Sequence, residues 1–242
     1  MGEPSRSARA SSLLVPPIGF AHRGASAQAR ENTLEAFELA LELGASGLES
    51  DVWVTLDGVP VLDHDGELET RDGVRPIAEL RRAELPPHVP TLAELYAVCG
   101  PHVPLSLDVK DEAAGPPTLE VARSVRAERS LWLCHWNWKV VAGWRELSPD
   151  VRLVDSTRTE RMRTPPEPRA ERMKALGIDA INLPWRDWSD EMVGVFHARG
   201  RYAFAWDAQE PRELRSVLGL GVDAVYSDHV ERMMEALSEE RS

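Results

Sequence analysis

Gly47-Leu-Glu-Ser-Asp-Val-Trp-Val-Thr-Leu-Asp-Gly-Val-Pro-Val-Leu-Asp-His-Asp65 is the stretch on which the reading of this chain turns. Two apolar-rich arms flank Asp57-Gly58, a pair that favours a β-hairpin because a type I′ turn needs φ > 0 at both central positions. A two-residue loop here pairs Leu56 with Val59, Trp53 with Leu62, and Asp51 with His64. Glu49 precedes Asp51 by two residues, so the period of a strand places both carboxylates on one face beside the imidazole. Such a patch is either a metal site or an acid/base site. A solvated edge strand could also carry it, but the apolar flanks read as a buried strand, where unpaired acids are costly.

Outward from the hairpin, strands and helices alternate. Ile18–His22 reads as a strand, and Asn32-Thr33 is placed to cap a helix from about Leu34 that stops at Gly44. Thr91-Leu-Ala-Glu94 has the pattern of a capping box. After the hairpin, whose first arm runs to Leu56, strands are expected at Leu105–Val109, Leu131–His135, Val151–Asp155, Ala180–Leu183, Tyr202–Trp206 and Ala224–Ser227, with helical segments between them. Arg71–Pro90 reads as irregular, and the chain is expected to fray after Met234. The return arm Pro60–His64 follows its predecessor too closely to be parallel to it. Setting it aside leaves eight strands, the number of a (β/α)8 TIM barrel, so the expected fold is that barrel with a β-hairpin excursion after strand 2. Residues 1–15 are expected to form a flexible arm and 16–238 a single domain.

Composition narrows the function. A chain of 242 residues with 43% hydrophobic residues can bury a real core. Its formal net charge of -12 argues against nucleic acid or an anionic membrane surface as the main partner. No apolar run is long enough to span a bilayer, and the Leu13-Leu14-Val15 patch is too short for a secretory signal. Cys99 and Cys134 form no metal or disulfide pattern and read as core residues of a cytoplasmic protein.

In such barrels chemistry sits at the C-terminal strand ends, and here those ends are polar. They carry His22-Arg23, Glu49, Asp51, Asp108, Lys110, His135, Asp155, Trp206 and Asp228. All-oxygen ligation suits a hard cation, Mg²⁺ or Ca²⁺. A cation with an arginine and a lysine nearby suits a phosphate ester, whose developing charge they stabilise.

Ala21-His22-Arg23-Gly24, Glu31-Asn32-Thr33, Glu49-x-Asp51, Thr55-x-Asp57-Gly58-x-Pro60-Val61-x-x-His64-Asp65 and Asp108-x-Lys110 together resemble the glycerophosphodiester phosphodiesterases. The likeness continues through Leu147-x-Pro149, Trp206, Gly221-Val-Asp223 and Ser227-Asp228. The resemblance implies a (β/α)8 barrel that hydrolyses a glycerophosphodiester to glycerol 3-phosphate and an alcohol, with one divalent cation. Carried over, Glu49, Asp51 and Asp108 hold the metal, while His22 and His64 are the acid/base pair. Arg23 and Lys110 bind phosphate oxygens, Trp206 lies on the substrate, and Glu31 and Asn32 brace the His22-Arg23 loop. A neutral imidazole can also ligate metal, so His64 has two roles open to it.

Three departures stand out. Arg30 replaces the usual proline before Glu-Asn. Asp108 replaces the usual glutamate, as in the related sphingomyelinase D branch. The segment between His64 and Thr91 is short and lacks a Leu-Asp-Arg-Thr-Thr stretch. Two further readings are a lysophospholipase D, with Trp132, Trp136 and Trp138 serving an acyl chain, and a catalytically silent barrel that binds phosphate esters.

Overall fold

In the computed structural model, which describes residues 10–71 and 73–240, the alternation becomes a closed barrel. In chain order the elements are β1 (Ile18–Ala21), α1 (Leu34–Glu42), β2 (Gly47–Val54), β3 (Pro60–Leu62), β4 (Glu67–Thr70), β5 (Gly73–Pro76), α2 (Leu92–Cys99) and β6 (Leu105–Val109). They continue as α3 (Gly115–Ser124), β7 (Leu131–His135), α4 (Trp138–Trp144), β8 (Arg152–Ser156), α5 (Pro166–Ala175) and β9 (Ala180–Pro184). The chain ends in α6 (Asp190–His197), β10 (Tyr202–Trp206), α7 (Pro211–Leu218), β11 (Ala224–Ser227) and α8 (Val230–Glu239). Strands β1, β2, β6, β7, β8, β9, β10 and β11 lie parallel in that order, and β11 returns to β1 to close the ring.

The period of two sorts each strand between two cores. On β6, Leu105, Leu107 and Val109 face outward against the helices, whereas Ser106 and Asp108 face the lumen. The outward layer is the larger core, and each fully buried leucine in it is worth about 1.5–3 kcal/mol. Lower down, an aromatic plug fills the lumen: Phe20 stacks on Tyr226 at 4.8 Å and Trp132 meets Phe204 at 4.9 Å. The plug keeps water out of the lower barrel, so the opening lies at the C-terminal ends. Gly47 belongs to this fit, because a Cβ there would lie 2.7 Å from the Phe20 ring.

The hairpin is present, but its register differs by one residue from the expected one. Strands β2 and β3 pair Val52 with Leu62, Trp53 with Val61 and Val54 with Pro60. Leu56-Asp57-Gly58 therefore forms a three-residue loop, closed by the Thr55 N–H donating to the Val59 carbonyl at 3.1 Å. A type I′ turn would require positive φ at both Asp57 and Gly58, but only Gly58, at +80°, has it. The Asp57 carboxylate instead accepts from Thr55 Oγ1 at 2.7 Å and from the Arg82 N–H at 2.9 Å. In consequence Asp63, not His64, lies opposite Asp51, and its N–H donates to the Asp51 carbonyl at 3.2 Å.

Two terminal and loop regions also depart from expectation. The segment expected to be irregular begins with β5, which pairs antiparallel with β4 just before it, and the pair lies by a small apolar cluster of Val61, Leu68, Ile77, Leu80, Leu85 and Val89. Helix α8 continues past Met234 because Met233, Ala236 and Leu237 bury one face against the barrel. Residues 1–9 of the expected arm lie outside the described residues. Beyond them, Ser12 Oγ and the N–H groups of Leu13 and Leu14 all donate to Asp223 Oδ1, which holds this part against the barrel base.

Candidate active site

The C-terminal strand ends enclose a cavity of about 410 Å³. His22, Arg23, Glu49, Asp51, His64, Asp108, Lys110 and Trp206 all line it, so eight of the ten residues singled out from the sequence meet at one place. The other two stand behind it. Glu31 accepts from Arg23 Nη1 at 3.0 Å. Asn32, in a left-handed conformation at φ 55°, donates from Nδ2 to Asp51 Oδ2 at 3.2 Å and accepts from Ser50 Oγ at 2.7 Å. Thr33 then caps α1 by accepting from the Ala36 N–H, so the loop carrying His22 and Arg23 is fixed to β2 and to a helix start.

His22 is held by its Nδ1, which donates to Asp228 Oδ1 at 2.6 Å. That bond leaves Nε2 toward the cavity, 3.8 Å from Glu49 Oε2. Burial opposes the charged ring, but the charge of Glu49 and the hydrogen bond and charge of Asp228 outweigh it and raise the His22 pKa. His64 lies beyond the end of β3, where strand alternation no longer applies, and reaches the cavity despite the shifted register. Its Nδ1 meets Asp65 Oδ1 at 2.8 Å.

The carboxylates are not gathered into a ready-made cage. Lys110 Nζ stands between two of them, 3.0 Å from Asp51 Oδ1 and 2.6 Å from Asp108 Oδ2. Among the described residues no three His, Cys, Asp or Glu side chains are close enough to form a metal cluster. Glu49 accepts the Arg23 backbone N–H at 3.0 Å on Oε2. Its pKa is pushed up to about 7, first by burial and then by the Asp51 and Asp108 charges, with His22 and the Arg23 hydrogen bond pulling the other way.

Two strand-end residues turn away from the cavity. His135 faces the helices and packs on Trp144 at 5.9 Å, and buried Asp155 pairs with Arg169 of α5. The three tryptophans do not form one surface either. Trp132 lies in the lumen plug, Trp138 lies beneath Arg169 and Arg172, and Trp136 is 67% exposed.

A model of the glycerophosphoryl diester phosphodiesterase family matches residues 22–232. The chain belongs to that family. Its members are phosphoric diester hydrolases, and so is this chain. A probable glycerophosphodiester phosphodiesterase 2 of Mycobacterium tuberculosis is 28% identical over 239 residues, spanning 91% of this chain and 90% of its own length. Glycerophosphodiester phosphodiesterase 1 of Homo sapiens is 37% identical over 132 residues, 46% of this chain and 40% of that protein. Among solved structures, a putative glycerophosphoryl diester phosphodiesterase of Silicibacter pomeroyi superposes with a TM-score of 0.81 at 25% identity, covering 96% of this chain and 95% of its own.

In this phosphodiesterase the donor set fits a hard divalent cation. Glu49 Oε1 and Asp108 Oδ1 have no hydrogen-bond donor among the described residues, and carboxylate oxygens of this kind are the ligands such a cation prefers. The cavity also holds groups not singled out from the sequence. Asp228, which orients His22, is legible in sequence as a polar strand end and in the Ser227-Asp228 likeness, but with no role attached. Ser106 shares its face with Asp108 two residues on, and its Oγ contacts Tyr226 Oη at 3.0 Å and Cys134 Sγ at 3.2 Å. Ser156, Arg158, Asn182, Asp207 and Gln209 complete the far wall. Among the described residues no helix is long and apolar enough to cross a membrane.

Proposed function

We propose that this chain hydrolyses a glycerophosphodiester to glycerol 3-phosphate and an alcohol, with His22 and His64 as the acid/base pair. The observation that carries the reading is the His22 ring, tethered through Nδ1 to Asp228 with Nε2 left facing a cavity that His64 shares. The Asp228 carboxylate fixes the tautomer in which Nε2 accepts a proton, the arrangement a general base needs. One histidine takes the proton of the attacking oxygen, which belongs to water or to a neighbouring substrate hydroxyl; in the second case a cyclic phosphate forms first, and water then opens it to glycerol 3-phosphate. The phosphorus–oxygen bond to the alcohol breaks, and the other histidine returns a proton to the departing oxygen.

Glu49, Asp51 and Asp108 would hold one divalent cation, Mg²⁺ or Ca²⁺. Such an ion, when bound, supplies Lewis-acid polarisation of a phosphoryl oxygen. With Asp51 and Asp108 neutralised in this way, the Lys110 ammonium is free to take a phosphate oxygen. Arg23, aimed by Glu31, presents its planar guanidinium to another. The activity is assigned to residues 16–238, with residues 12–14 as a strap over the barrel base.

The test is a panel of glycerophosphodiesters and lysophospholipids, with and without chelator, in which both products are identified. Glycerol 3-phosphate release that stops in chelator and returns with Mg²⁺ or Ca²⁺ is the expected outcome. Full turnover in chelator would remove the cation from the scheme, and rates that rise with acyl-chain length would transfer the assignment to a lysophospholipase D.

A further inference from the structure

The eight-strand ring sets two walls of the cavity against each other. His22, Glu49, Asp51 and Asp108 come from β1, β2 and β6; Ser156, Arg158, Asn182 and Trp206 come from β8 to β10 on the opposite side. The cationic groups of the first wall are already matched. Arg23 meets Glu31 and Asp51, Lys110 meets Asp51 and Asp108, His22 meets Asp228, and His64 meets Asp65.

The opposite wall is different. Arg158 has no carboxylate partner among the described residues, and its guanidinium lies over the Trp206 ring, 4.5 Å from the centroid. That stack holds the fork in place while leaving its N–H donors free. Neighbouring Asn182 is 6% exposed, and neither end of its amide has a hydrogen-bond partner among the described residues. Asn182 Oδ1 and Trp206 Nε1 are both buried without a partner. Exchanging the amide oxygen and nitrogen changes which end is shielded, not the absence of partners. Buried polar groups are normally satisfied, so an unsatisfied acceptor and an unsatisfied donor in one cavity wall point to a bound molecule. A hydroxyl can serve both kinds. Asp207 also lines this wall, but Arg186 lies 3.7 Å from its Oδ2.

We infer that the β8–β10 wall is a headgroup subsite, with Arg158 as the residue that determines specificity. It selects diesters whose alcohol is polyhydroxylated or carries a carboxylate, and it disfavours a quaternary ammonium. The inference rests on the phosphodiesterase reading above and names the substrate class for that same site. A quaternary ammonium would need an open aromatic face, and the Trp206 face is covered by a guanidinium of the same charge. A polyol or carboxylate meets N–H donors and an amide instead.

The experiment compares kcat/KM for glycerophosphoinositol, glycerophosphoserine and glycerophosphocholine, on the wild type with added divalent cation and on Arg158→Glu and Asn182→Ala. Thermal melts accompany each variant; Arg158 is exposed, so its variant is expected to fold. The wild type is expected to favour inositol and serine over choline by about tenfold or more, the factor that follows from roughly 1.4 kcal/mol of differential binding. Arg158→Glu is expected to reverse the serine-to-choline preference, and Asn182→Ala to lower inositol turnover more than choline turnover. Equal losses on every substrate in Arg158→Glu would assign Arg158 to the reacting phosphate and overturn the inference. A wild type that prefers choline would overturn it as well. A folded wild type that hydrolyses none of the three would overturn the proposed glycerophosphodiester reading and the subsite together.

Discussion

Two histidine–aspartate pairs stand at opposite ends of this barrel, and they do different things. At the mouth His22 Nδ1 meets Asp228 Oδ1 at 2.6 Å; at the base His197 Nε2 meets Asp223 Oδ2 at 2.8 Å. Asp223 is fully buried and saturated. Its Oδ1 accepts from Ser12, Leu13 and Leu14, and its Oδ2 also accepts the Ala203 N–H at 2.7 Å. Asp228 is half-open, takes one further bond from Ser26 Oγ at 3.0 Å, and leaves the second nitrogen of its histidine facing a cavity. The pairing chemistry is the same. Whether the remaining atoms are consumed or left facing a cavity separates the structural pair from the one proposed to work in catalysis.

The contrast can be broken by mutation at either end. His22→Ala is expected to carry the largest effect, a loss of about 10²–10⁴-fold in turnover, or roughly 3–5 kcal/mol of barrier. Its melting temperature should stay near wild type, and a large drop there would make the mouth pair structural too. Asp223→Ala should do the opposite. It strands His197, Ser12 and three N–H groups, which costs about 2–4 kcal/mol of stability, or roughly 4–16 °C in a melt for a chain this size. Turnover of the folded protein should be unchanged; a fall in kcat without a fall in melting temperature would erase the distinction.

Two smaller changes sharpen it. Asp228→Asn keeps the shape but removes the charge that helps to hold His22 protonated, and a loss of about 10–100-fold is expected for such an orienting partner. The His22 pKa is raised in the folded protein. The stability linked to its charge is therefore present below the ordinary histidine value and lost as the pH rises through the folded one. Asp228→Asn narrows that window, so the limb of the pH–rate profile that reports His22 should move to lower pH. An unmoved limb would assign it to another group. Ser12→Ala removes one of several bonds to Asp223 and should cost about 1 kcal/mol, seen as a small melting shift with no change in kcat/KM.

Much of this molecule can be read from the chain because the period of two is so clear on the strands. Leu105, Leu107 and Val109 against Ser106 and Asp108 separate helix layer from lumen by their parity alone. The same parity, applied to β7 and β8, turns His135 and Asp155 outward. The hairpin register is less legible: Asp-Gly suits both a two-residue and a three-residue loop, and the choice rests on Asp57 bonding Thr55 and the distant Arg82. His64 reaches the cavity for a reason the strand pattern does not contain, since β3 stops at Leu62. Arg158 leaves no signal in sequence because its meaning lies in what it does not touch. The Lys110 position between Asp51 and Asp108 likewise depends on β2 and β6 lying side by side in register.

The mouth pair spans 206 positions of the chain, joining the first strand to the end of the last. Asp228 is translated 206 residues after His22, so the ring has no orienting partner until β11 has been made. The same closure brings Asp223 to the strap at Ser12. A nascent barrel missing β11 holds its three carboxylates but cannot hold its imidazole. The orienting bond at the mouth therefore forms only after β11 has been made, in the order set by translation.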